Sequence, residues 1–125
     1  MIKARKKRTE VSLLVAVIFL AMTFLLSTPA SAHGPKSVDL KYEAATQTLS
    51  VTIVHSVKNP ATHYIKKILI SVSGEKASVY EYKSQPDKGS FTVEYNIAAK
   101  DGDTIKVKAS CNYIGSKSAT LTLGK

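Results

Sequence analysis

Apolar and polar residues alternate along most of the chain beyond residue 37. From Leu49 to His55 the sequence LSVTIVH puts Leu49, Val51, Ile53 and His55 on one phase, and DTIKVKASC from Asp103 to Cys111 sets Ile105, Val107, Ala109 and Cys111 against Lys106 and Lys108. A period of two is the pattern of a strand with one buried face. Together with β-branched content, it predicts strands at about Val38–Tyr42, Thr48–His55, His63–Ser73, Ala77–Tyr82, Ser90–Ile97, Asp103–Cys111 and Ser118–Leu123. The stretches between them, EAATQ, SVKNPAT, GEK, KSQPDKG, AAKDGD and NYIGSK, hold breakers or polar turn formers. No helical period survives beyond residue 32. The expected fold is all-β, a seven-stranded antiparallel immunoglobulin-like β-sandwich without the Cys and Trp landmarks of antibody domains.

The start of the chain breaks the pattern. MIKARKKRTE carries five cations, an apolar run of 16 residues follows from Val11 to Leu26, and STPASA supplies small residues up to Ala32. Basic, apolar and small segments in that order predict a signal peptide helix over residues 1–32 and a mature domain over 33–125. The run falls short of the roughly 20 apolar residues that span a bilayer, so cleavage after Ala32 is expected rather than anchoring. Either outcome places the domain in the periplasm or outside the cell, touching a membrane only through an uncleaved leader.

Composition changes the picture once the leader is set aside. Thirteen lysines then stand against eight acids, a net charge of +5 instead of +9 for the whole chain. No arginine remains, no basic cluster forms and there is no Trp, so nucleic-acid binding finds no support. Scattered lysines serve solubility and draw small anions weakly.

Cys111 is the only cysteine, and one thiol cannot bridge within the chain. Two of the three histidines, His55 and His63, flank the Pro60-containing loop. Period-two counting places His55 and Cys111 at the ends of inward rows, where a core face meets the rim of the sandwich. Either residue alone is most simply a packed or hydrogen-bonded core side chain. Together, imidazoles and a thiolate are the donors that borderline transition metals prefer.

The segments His55, Asn59-Pro60, His63-Tyr64-Ile65 and Cys111-Asn112 resemble those around the iron centre of the desulfoferrodoxin and superoxide reductase family. That resemblance implies an immunoglobulin-like sandwich holding mononuclear non-haem iron, with His55, His63 and Cys111 as ligands and His33 as the N-terminal histidine of the set. It also implies reduction of superoxide to hydrogen peroxide at ferrous iron, with an electron from a donor that the sequence does not name. Lys58 is then the candidate for attracting the anionic substrate, helped by Lys66, and Tyr113 is expected to pack rather than cap the site. The chain departs from the family where its fourth histidine would fall, at Ile114, and Ser31-Ala32 stand in place of a Glu-Lys pair. Three histidines and a thiolate still suffice for iron, zinc or copper.

Two other readings stay open at this point. Cleavage after Ala32 would free the amine of His33 to chelate copper with its own ring, as in periplasmic copper carriers. The domain would otherwise be a non-enzymatic binding module with a vestigial metal site.

Overall fold

The computed structural model describes residues 34–124, so the expected signal peptide helix and His33 lie outside the described residues. Seven strands follow in order: β1 Ser37–Glu43, β2 Thr48–Val54, β3 Ile65–Val72, β4 Ser78–Glu81, β5 Ser90–Asn96, β6 Thr104–Cys111 and β7 Ser116–Thr122. All pairings are antiparallel, and among the described residues there is no helix. The expected all-β sandwich is what forms.

The strands divide into a three-stranded sheet, β1-β2-β5, and a four-stranded sheet, β4-β3-β6-β7. In constant-type immunoglobulin domains the fourth strand belongs with the first, second and fifth. Here β4 pairs instead with β3, through Lys67 to Ile70 against Glu81 to Ser78.

The period-two rows of the sequence become the facing walls of the core. Leu49, Val51 and Ile53 of β2 are wholly buried, as are Ile68 of β3 and Ile105, Val107 and Ala109 of β6. Each such aliphatic side chain contributes on the order of 1.5–3 kcal/mol by leaving water. Tyr80, Tyr82 and Tyr95 close one flank. The Tyr82 and Tyr95 hydroxyls share a 2.6 Å hydrogen bond, the rings of Tyr80 and Tyr95 stand 4.4 Å apart, and burial pushes the Tyr95 phenol well above its usual range.

Two local irregularities set the rim where β2 and β6 end. Residue His63, expected to open the third strand, precedes it, and β3 starts only at Ile65. Between Ile65 and Lys67 the strand carries one residue too many: Ile65 stands opposite Cys111, but Lys67 stands opposite Ser110. Lys66 is the surplus residue of this β-bulge.

Candidate metal centre

His55 follows directly on β2. The backbone continues the ladder past the strand, with the N–H of His55 donating to the carbonyl of Gly89 at 2.8 Å and that of Val57 to Lys88 at 2.8 Å. The alternation of β2 therefore persists by one step, and the imidazole turns inward to 2 % exposure. Cys111, the last residue of β6, is brought in by the same logic and is also 2 % exposed.

The loop between β2 and β3 is built around one helical turn. Asn59 acts as its N-cap, its side-chain oxygen accepting from the N–H of Ala61 at 3.0 Å, while its carbonyl accepts from the N–H of His63 at 2.9 Å. Pro60 occupies the first turn position, where a missing N–H costs nothing and a fixed φ helps. The sequence N-P-A-T-H thus dictates where the His63 ring emerges.

Asn112 then clamps that segment to the end of β6. Its side-chain oxygen accepts from the N–H of Tyr64 at 2.9 Å, its amide nitrogen donates to the Thr62 carbonyl at 2.9 Å, and its own N–H donates to the Tyr64 carbonyl at 3.0 Å. All three bonds bracket His63, so the histidine is held in register with the residue before Asn112.

That residue is Cys111. The His63 Nε2 lies 3.1 Å from the Cys111 sulfur, and the rings of His55 and His63 meet edge to face with centroids 4.8 Å apart. One ligand atom from each of His55, His63 and Cys111 can be chosen so that all lie within 4.8 Å of one another. These donors fit a metal ion. Imidazole nitrogen and cysteine sulfur are the donor types that would hold such an ion.

The remaining contacts tune the same atoms. The backbone N–H of Tyr113 donates to the Cys111 sulfur at 3.4 Å, and the sulfur lies 3.8 Å from the Asn112 side-chain oxygen. His55 Nδ1 lies 2.8 Å from the side-chain oxygen of Gln85, a buried residue of the β4–β5 loop. Sequence reading missed Gln85 altogether, because QPD inside a polar stretch signals a turn and nothing more.

Other expectations divide. Tyr113 does not pack into the interior: it is 58 % exposed, with its ring 4.6 Å from that of His63, so it stands over the centre. Ile114 is 68 % exposed on the next residue of the same turn. Exposed Lys58 lines an open cavity of about 560 Å³ together with Ser56, Val57, Asn59, Thr62, His63 and Tyr113, so of the three clustered residues His63 alone lines it, beside a cation. Lys66 is exposed but does not line that cavity.

No protein-family model matches the chain, and no curated protein matches it significantly in sequence. Among solved structures, superoxide reductase (neelaredoxin) from Ignicoccus hospitalis is similar at 14 % identity and a TM-score of 0.45, covering 72 % of this chain and 80 % of that one. At such a distance the chemistry has to be read from this chain's own residues.

Proposed function

We propose that this chain is an exported mononuclear iron-binding protein that reduces superoxide to hydrogen peroxide. The observation that carries the reading is the convergence of His55, His63 and Cys111, drawn from three separate segments, on one point at the rim. A polar surface loop would not need two imidazoles directed at a buried sulfur.

The ligands assigned here are His55, His63, Cys111 and His33. What supports His33 is its neighbour. A Cβ on Gly34 would lie 2.9 Å from backbone atoms of Gly115 and Ser116, so the chain at residue 34 runs against the turn that begins at Cys111. Cys111 and Gly115 close that turn through an N–H to carbonyl bond of 3.0 Å. His33 is the next residue toward the N-terminus. His33→Ala is expected to weaken metal binding, and Gly34→Ala to do so to a smaller extent by lifting the segment; competition titrations against a chelator of known affinity measure both.

When bound, iron in such a site supplies one-electron chemistry next to a thiolate. The protein's part is to fix the sulfur and the imidazoles in place and to guide an anion inward. Reduction of one superoxide consumes one electron and two protons and yields one hydrogen peroxide. The electron comes from an external donor and the protons from water in the open cavity. Lys58 assists only the approach of the anion, so Lys58→Ala is expected to leave metal content unchanged. It should slow superoxide consumption by a few-fold at low salt, with the difference shrinking as salt screens the charge; pulse radiolysis across a salt series reads both effects.

Metal analysis of the protein purified from its exporting host tests the central reading. Near-stoichiometric iron with a sulfur-to-iron charge-transfer band in the oxidised form supports it. Copper at a site that depends on His33 would favour copper carriage instead, and protein that takes up no transition metal would leave a binding module.

A further inference from the structure

The side chain of Gln85 makes four hydrogen bonds in a site where it is 5 % exposed. Its amide nitrogen lies 2.8 Å from the carbonyl of His55 and 2.8 Å from the carbonyl of Asp87. Carbonyls only accept, so the NH₂ group must face them. The amide oxygen is thereby turned toward the N–H of Ile65 at 3.3 Å and Nδ1 of His55 at 2.8 Å. Rotating the amide by half a turn would set oxygen against two carbonyls and NH₂ against the Ile65 donor, so one orientation alone satisfies the surroundings.

The oxygen so fixed can only accept. We infer that Gln85 is a positioning residue: it obliges the neutral His55 ring to carry its proton on Nδ1, which leaves the Nε2 lone pair for a ligand. A ring with the proton on Nε2 would present a hydrogen where the metal is to bind. The Gln85 backbone adds a further link, its N–H donating to the carbonyl of Pro60 at 3.0 Å. One residue of the β4–β5 loop therefore joins the end of β2, the start of β3 and the histidine loop. Its consequence for affinity rests on the metal-binding reading above, whereas the tautomer does not.

Two measurements on the whole protein separate these. Long-range proton–nitrogen correlation spectra of the metal-free form at about pH 8, where an ordinary imidazole is neutral, report the tautomer directly. The wild type should show His55 protonated on Nδ1. Gln85→Met, nearly the same shape without the amide oxygen, should move His55 toward the Nε2–H form, while His63 stays as it was. Cobalt(II) titration of the same samples should show affinity reduced about 10–100-fold by Gln85→Met, the range found for partners that orient metal-ligating histidines. Wild-type His55 protonated on Nε2, or an unchanged tautomer in a folded Gln85→Met protein, would overturn the inference. Expected tautomers with no cobalt binding by the wild type would instead remove the metal reading and leave the positioning role intact.

Discussion

Cys111→Ala is expected to eliminate stoichiometric metal binding while the sandwich still folds. The sulfur lies 3.1 Å from His63 Nε2 and receives the Tyr113 N–H, and among the described residues it is the one soft donor at the rim. Removing it leaves only imidazoles beside a neutral methyl. The loss in affinity should exceed the roughly 100-fold upper end typical of orienting residues, because a direct ligand is gone. The structural cost is small: a single buried heavy atom is deleted at a strand end, on the order of 1 kcal/mol. Metal content per chain, together with the far-ultraviolet circular dichroism of a β protein, distinguishes lost binding from lost folding. Iron retained in full by Cys111→Ala would dismiss the ligand assignment.

If the three side chains hold an ion, stripping it with a chelator is expected to lower thermal stability markedly, and re-addition to restore it. His55 continues β2 in the three-stranded sheet, whereas Cys111 ends β6 in the four-stranded one, so an ion held by both joins the two layers. A ligand bound only to the folded state adds about 4 kcal/mol when its free concentration is about 1,000 times the dissociation constant. For a domain of this size that corresponds to roughly 15–30 °C in melting temperature. Differential scanning calorimetry with and without metal checks the shift, and Cys111→Ala should show none of it. Such an ion would fill the role that disulfides fill in many small domains, since Cys111 is a free thiol.

The strands were legible because burial of one face writes itself into alternate residues. Rows such as Leu49, Val51 and Ile53 carried over unchanged, and the step from Ile53 forecast an inward His55, which is buried although β2 ends one residue before it. The pairing of β4 with β3 was not legible. Ser78 to Glu81 is short and largely exposed, and nothing in such a strand states which neighbour it joins. The clustering of His55, His63 and Cys111 could be suspected from donor chemistry, but the partners that fix them could not. Gln85 acts through contacts made by folding residues 55, 60, 65 and 87 around it, and no local spacing encodes that. Tyr113 went astray for a related reason: in the tight turn that follows β6, its side chain follows the geometry of the turn rather than the alternation of the strand.

The surplus residue in β3 explains why its inward residues are spaced unevenly, Ile65, then Ile68, then Ile70. Counting back by twos from Ile68 would assign the inner wall to residue 66 and send Ile65 to solvent. The bulge absorbs that half-period, so Ile65 again faces inward beside Cys111. Deleting Lys66 would leave Ile65 next to Lys67 in plain alternation, with the same residues inward, and adding a second residue there would also restore alternation but would carry Ile65 out of register with Cys111. The polarity of the segment that delivers His63 is thus governed by the parity of the residue count, not by its absolute length.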